Sequence, residues 1–382
     1  MNFEKKFDTY DENAHIQKSV ADTLVEFLDE MGVSKEREVF EIGCGTGLFS
    51  KRFIKKFSPK KIILNDIYDV EKYLKRCIDS LIKNRINNYE ILLVDDGSQD
   101  NSGNICDEYA AKYDYIRVIH QQNKGLAEVR NVCIEQATGE YISFIDSDDF
   151  ITDNTYSHLM NLIYKYNADI LCYGVIDLYE GITENFSKIN NENEIITELS
   201  PEDAVEEMLL PKHVDIITCN KIIKKSLYKN VYYPSGKLYE DMFTNYKIIA
   251  KANKVVSTNY KYYCYYHRNG SIGRMTYNPK TMDLSVAVNE LFEFGKEFCK
   301  PHIDNLIVGN LFWQIVVVNF MIKSNTYDKH FIKGIRKFGR KYSIKIILNK
   351  YINLTRKIQM LLFSYCFSIY KQLYRKYIKE KR

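Results

Sequence analysis

Residues 89–110 read YEILLVDDGSQDNSGNICDEYA, and this stretch decides the fold. An apolar run from Glu90 to Val94 delivers two carboxylates, Asp95 and Asp96, and then a Gly-Ser turn into a helix over Ser102 to Lys112. A short continuous apolar run bounded by turn residues reads as a strand covered on both faces. Outward from it, a helix is expected from Val70 to Ile82, a strand from Ile116 to His120, a helix from Gly125 to Ala137 and a strand from Tyr141 to Ile145 ending in Asp146. Strands and helices alternating at this spacing specify an α/β fold, a mostly parallel sheet with helices on both faces. In open sheets of this kind ligands bind at the carboxyl ends of the strands, where Asp95, Asp96 and Asp146 stand.

Beyond Phe150 the pattern loosens. A helix is expected near Tyr156 to Tyr166, a strand over Asp169 to Gly174, and an exposed loop or hairpin in the polar insertion Glu180 to Glu198. Helices recur around Asp203 to Leu210 and Asp241 to Ala252, and after Asn278 nearly everything reads as helix. On the other side, Ala14 to Met31 carries apolar residues at helical spacing. A strand at Val39 to Ile42, a turn with Gly43, Gly45 and Gly47, a short helix and a strand at Lys61 to Leu64 follow as one βαβ unit.

The chain has 382 residues, 45% hydrophobic and 27% charged, so a substantial core is expected, and six prolines argue against long disordered stretches. Nine cysteines are scattered singly, with no pair at zinc-ligand spacing, and read as reduced core residues. The first residues lack the apolar centre of a secretory signal, and no run is expected to reach bilayer-spanning length. The chain is therefore expected in the cytoplasm, at most at the inner face of the membrane.

Together with residues 89–110, three blocks carry a resemblance: NKGLAEVRN at 123–131, ATGEYISFIDSDDF at 137–150, and CNKIIKKSLY with YEDMF between residues 219 and 243. In order and spacing they resemble family 2 glycosyltransferases of the GT-A fold, over about Tyr68 to Ile272, which narrows the expected fold to a mixed, mostly parallel sheet flanked by helices. The resemblance implies a nucleotide diphosphate sugar donor, a uridine one foremost, with Asp95 and Asp96 accepting hydrogen bonds from base and ribose. The residue-level alternative is that these two acids cap the following helix. Asp146-Ser147-Asp148 matches the family's DxD motif. It implies Mg²⁺ or Mn²⁺ on Asp148, with Asp146 on the ribose or a metal-bound water, as suits hard cations that share their ligands with substrate phosphates.

Arg130 corresponds to an arginine near the diphosphate, and a guanidinium suits phosphate oxygens; it could equally pair with crevice carboxylates and organise them. Lys124 is either a second phosphate contact or a solvated side chain. Asp241, with Glu240 beside it, matches the ED motif whose aspartate is the general base of an inverting displacement. An acidic pair opening a helix is also favourable by itself. Asn220 and Lys221 resemble a segment that closes over the sugar or the acceptor. His267 is either a metal ligand or a satisfied histidine among tyrosines.

The first 66 residues resemble the opening of biotin-pathway methyltransferases that use S-adenosylmethionine, with Gly43, Gly45 and Gly47 at the cofactor turn and Asp66 on the ribose. No room remains for the rest of such an enzyme. The expected organisation is therefore a truncated fragment over 1–66, a glycosyltransferase domain over 61–278 that shares the Lys61 to Leu64 strand, and a helical basic region over 279–382. From Lys323 onward Asp328 and Glu380 are the only acids among many lysines and arginines. Basic amphipathic helices of this kind either lie on an anionic membrane or cap the catalytic domain. A glycan or lipid-linked acceptor suits the first alternative. A nucleic-acid partner is excluded, because the site residues are acidic and no recognised module is present.

Overall fold

The computed structural model describes residues 61–65, 70–84, 86, 89–179, 193–267, 277–299 and 303–380. The expected helix at Ala14 to Met31, the glycine turn at Gly43, Gly45 and Gly47, and Asp66 lie outside the described residues.

The first half alternates strand and helix as the pattern predicts: β1 (Lys61–Asn65), α1 (Glu71–Lys83), β2 (Ile91–Asp95), α2 (Ser102–Lys112), β3 (Ile116–His120), α3 (Leu126–Gln136) and β4 (Tyr141–Asp146). Then follow β5 (Phe150–Ile151), α4 (Thr155–Tyr166), β6 (Ile170–Tyr179), β7 (Ile196–Leu199), α5 (Pro201–Glu207), β8 (Lys221–Lys224), α6 (Glu240–Ile249) and β9 (Val255–His267). The C-terminal part is α7 (Met282–Phe298), α8 (Ile303–Lys323), α9 (Lys329–Lys341), α10 (Ser343–Leu348), α11 (Leu354–Tyr365) and α12 (Phe367–Glu380).

The main sheet runs β1-β4-β8-β6-β9-β5, with β7 on β9, and β2 pairs with β3 while lying alongside β1. β1 and β4 are parallel, as are β2 and β3, and β6 and β9. β8 runs antiparallel between β4 and β6, so the sheet is mixed. Lys61–Asn65 thus serves as a strand beside β4, with Asn65 opposite Asp146. At the end of the expected polar insertion, residues 196–199 form β7, because pairing with β9 satisfies backbone groups that a solvated loop would leave to water.

Side-chain alternation on the strands splits the core into two layers. Ile91 and Leu93 of β2 face a layer containing Leu74, Cys77, Ile78 and Leu81 of α1, which fall at helical spacing, and Tyr156, Leu159 and Ile163 of α4. Leu92 and Val94 face the other layer, with Val129 and Cys133 of α3, Met242 of α6, and a continuous run of C-terminal side chains through Val318 and Phe363. The helical region and the sheet therefore share one core.

One expectation fails here. α8 has 21 residues and is long and apolar enough to cross a bilayer, yet 67% of its apolar window is buried inside the protein. Its apolar residues run all round because α5, α7, α9, α11 and α12 surround it. Gly309 lets it approach α5's end closely: a Cβ there would lie 2.5 Å from Leu209 Cβ. Trp313 Nε1 donates to the Leu209 carbonyl at 3.0 Å.

Candidate active site

β4 is buried through Ile145 and ends on Asp146, whose side chain is 30% exposed. The chain then turns, with Asp149 N donating to Asp146 O at 3.0 Å, and re-enters the sheet as β5 against β9. Asp149 is buried and accepts from Tyr263 Oη at 2.5 Å and Tyr266 N at 2.7 Å. The same tyrosine hydroxyl accepts from Asp146 N at 3.2 Å. Asp149 therefore ties the acidic turn to β9, and burial, reinforced by the Asp146 and Asp148 charges, pushes its carboxyl up to about 8.

Sequence reasoning missed Arg76. Its guanidinium lies against the rings of Phe150 and Tyr266, 4.6 and 4.5 Å from their centroids, and Nη2 donates to the Asp148 carbonyl at 2.8 Å. An arginine beside the buried stripe of an amphipathic helix was the only available signal, since its partners arrive from residues 148, 150 and 266.

Across the crevice, α6 begins with Glu240 and Asp241 after Tyr239 in the left-handed region at φ 61°. Arg130 of α3, only 2% exposed, joins the two walls. Its Nη1 donates to Glu240 Oε1 at 2.7 Å and also to Asp241 Oδ1, while Nη2 lies 3.5 Å from Asp146 Oδ1. The Phe144 and Tyr233 rings flank it. Burial works against the charged guanidinium, but Asp241 and Glu240 outweigh it and hold its pKa well above the ordinary value. Burial pushes Glu240 up to about 7, although Arg130 opposes the shift. Of the two alternatives for Arg130, the structure shows pairing with the crevice carboxylates.

Asp241 is held further by Thr218, which donates from Oγ1 to Oδ1 at 2.7 Å and from N to Oδ2 at 3.1 Å. Each carboxylate oxygen accepts two hydrogen bonds. Among the described residues Oδ1 carries two and Oδ2 one, so one acceptor position on Oδ2 is left over.

At the end of β2 the two aspartates differ. Asp95 accepts from Ser98 N at 3.0 Å and pairs with His120 Nδ1 at 2.9 Å, whose other nitrogen meets Asp107. The hydrogen bonds to Asp95 and Asp107 raise the His120 pKa. Asp96 is fully buried and accepts from Gln121 Nε2, Lys124 N and Gly125 N, shaping the loop into α3. That loop needs Gly125, at φ 86°. The Lys124 side chain is exposed. Neither acid is the cap of the α2 helix: Asn101 holds that position, and Asp100 Oδ1 accepts from Ser102 N.

Asn220 and Lys221 pair with each other and with the 215–221 turn. Lys221 Nζ is buried and donates to Asp215 Oδ1 at 2.8 Å and Asn220 Oδ1 at 2.9 Å; Asn220 Nδ2 donates to Tyr173 O and Asp215 Oδ2. A buried ammonium requires such partners, so these side chains brace the turn at 215–221. His267 closes β9 with Nε2 2.7 Å from Asp177 Oδ1 and its ring stacked on Tyr179 at 4.4 Å.

Among the described residues no group of three or more His, Cys, Asp or Glu is arranged to hold a metal ion. The Asp146 to Asp149 turn nevertheless fits a hard dication that takes its remaining ligands from substrate and water. Its donors are carboxylate oxygens, and burial, with the Asp148 charge, raises the Asp146 carboxyl despite Arg130.

An acidic turn after β4 joined through buried Arg130 to the carboxylates that open α6, on a mixed α/β sheet, fits the GT-A arrangement. The described fold resembles residues 1–349 of S. aureus TarS, crystallised with UDP-GlcNAc, at a TM-score of 0.57 and 19% identity, covering 84% of this chain and 91% of that one. Residues 63–232 match the profile of glycosyl transferase family 2. Over 264 residues the chain is 31% identical to glycosyltransferase GlyG of Streptococcus pneumoniae serotype 4, covering 67% of this chain and 83% of that protein. It is 26% identical over 277 residues to the minor teichoic acid biosynthesis protein GgaB of Bacillus subtilis, spanning 30% of that longer protein. The chain belongs to glycosyltransferase family 2 and is a transferase enzyme.

Proposed function

We propose that this enzyme transfers a sugar from a nucleotide diphosphate sugar, a uridine diphosphate donor foremost, to a hydroxyl of a cell-surface polysaccharide or glycolipid. The observation that carries the reading is Arg130, which ties Asp241 and Asp146 together from opposite walls of one crevice. Asp241 is the general base. Its remaining Oδ2 position takes the proton of the acceptor hydroxyl while that oxygen attacks the anomeric carbon, and the bond to the diphosphate breaks with inversion. Thr218 and Arg130 keep the carboxylate oriented. Glu240 balances the guanidinium so that it does not neutralise Asp241 alone.

Asp148 and Asp146 would hold Mg²⁺ or Mn²⁺, which when bound offsets the charge of the leaving diphosphate. His267 is the candidate third ligand and would have to leave Asp177. Asp95 and Asp96 are proposed at the base and ribose end, with Lys124 toward the phosphates; Asn220 and Lys221 support the sugar end through the 215–221 turn. The names of GgaB and TarS's ligand support a wall-polymer setting and a uridine donor. For residues 1–66 we propose a remnant of a methyltransferase, joined at Lys61–Asn65. Calorimetry showing tight S-adenosylmethionine binding by the whole chain would overturn the word remnant.

The test is release of nucleoside diphosphate from a panel of nucleotide sugars with Mn²⁺ or Mg²⁺. Asp241→Asn is expected to lower kcat by about 10²- to 10⁴-fold, and Asp148→Ala to abolish the dependence on the ion. Equal release by wild type and both variants overturns the assignments.

A further inference from the structure

Ten of the fifteen large hydrophobic side chains exposed among the described residues lie between 344 and 377. They are Ile344, Ile347, Leu348 and Tyr351 on and after α10, Leu354, Ile358 and Tyr365 on α11, and Ile369, Leu373 and Tyr377 on α12, each about half exposed or more. Their spacing makes a pattern of rows. Leu354 and Ile358 are one helical turn apart, as are Ile369, Leu373 and Tyr377, so each helix shows solvent a continuous apolar stripe beside its buried one. On α11 the buried side chains are Met360 and Phe363, and on α12 Tyr370 is buried. These helices thus use one face as a cap on the core and leave another uncovered.

We propose that the uncovered face of α10–α12 docks on an anionic lipid bilayer. Charge complementarity selects that occupant. Lys350, Arg356, Arg375 and Lys376 are exposed in the same segment, and Glu380 is its only acid from Ser343 onward. Lys376 sits three residues from Leu373 on α12, and Lys350 next to Tyr351, so cations border the apolar rows. Apolar side chains entering the headgroup boundary with lysine and arginine at the rim describe an interfacial helix surface. A second copy of the chain would have to bring an equally basic face against this one, which like charge opposes. α8 takes no part in spanning, since it is the buried centre of the helices. The inference does not depend on the donor chemistry, and its test uses no nucleotide sugar.

The experiment is co-sedimentation of the full chain with vesicles of phosphatidylcholine containing phosphatidylglycerol, against phosphatidylcholine alone. Binding is expected only to the anionic vesicles, to weaken by about tenfold or more in Leu354→Ser, Ile358→Ser, Leu373→Ser combined, and to weaken with salt. A charge-reversed chain, Lys350→Glu with Lys376→Glu, is expected to lose binding with every apolar residue in place, which keeps the test valid where the serine variant folds poorly. Failure of the wild type to bind, undiminished binding by both variants, or a dimer in solution that the serine variant dissociates would each overturn the proposal, the last in favour of a second copy.

Discussion

The crevice and the C-terminal helices distribute their side chains in opposite ways. At the candidate site, charged groups are inside: Arg130 is 2% exposed and reaches three carboxylates, Lys221 is buried on Asp215, and buried Asp96 accepts from three donors. In α10–α12, apolar groups are outside, with Leu354 at 72% and Leu348 at 71% exposure. Burying a charge is tolerable only when it is paired, so each buried charge at the site is constrained by its neighbours. An exposed leucine imposes no such constraint on the fold. The first region should be intolerant of single substitutions and the second tolerant in stability while sensitive in surface behaviour.

The largest expected effect is at Arg130. Arg130→Ala leaves Glu240, Asp241 and Asp146 facing one another without their shared cation, and is expected to cost about 3–5 kcal/mol of stability. Denaturant unfolding measures it, and adding Glu240→Gln should recover part of the loss. A change under about 1 kcal/mol would mean that the cluster is not closed in solution.

Next is Arg76. Arg76→Ala removes a charged donor from the Asp148 carbonyl and is expected to raise the apparent KM for the divalent ion by about tenfold, with kcat less affected. Arg76→Lys should recover little, because an ammonium cannot lie flat against the Phe150 and Tyr266 rings. Full recovery by lysine would reduce the role of Arg76 to charge.

A further effect is expected from pH. The Glu240 carboxyl, about 7 in the folded protein, lies near 4.3 in the unfolded chain. Between those values the folded state binds more protons, so stability should fall as pH rises through the window. Glu240→Gln should flatten that part of the stability curve measured by thermal unfolding. An unchanged slope would show that Glu240 stays ionised throughout.

The smallest expected effect breaks the comparison from the other side. Leu354→Ser should change unfolding free energy by no more than about 0.5 kcal/mol, as at an ordinary surface site. A loss of several kcal/mol would show that this face is part of the core.

Much of the fold was legible because the helix and strand periods differ. Glu90 to Val94 reads as a doubly buried strand and Val70 to Ile82 as a helix from the sequence pattern, and the structure has β2 over Ile91–Asp95 and α1 over Glu71–Lys83. The DSD turn and the ED pair were legible as motifs, since each is contiguous in the chain. What was not legible depends on residues far apart in the chain. Arg130 and Asp241 are 111 positions apart, and Arg76 and Asp148 are 72. Whether Arg130 faces phosphate or carboxylates depends on how α3 packs against α6, which no local pattern encodes. α8 shows the same limit: its composition suits a bilayer or a protein core equally, and only the surrounding helices decide.

By itself, the sequence determined the alternating elements, the acids at the strand ends and the cationic C-terminal segment, because local spacing and residue chemistry specify these. The tertiary structure alone decided which acids share Arg130, which lysine is buried on Asp215, and which apolar residues of α10–α12 remain outside. Pairing and burial are properties of packed surfaces, and they come into being only when distant segments meet.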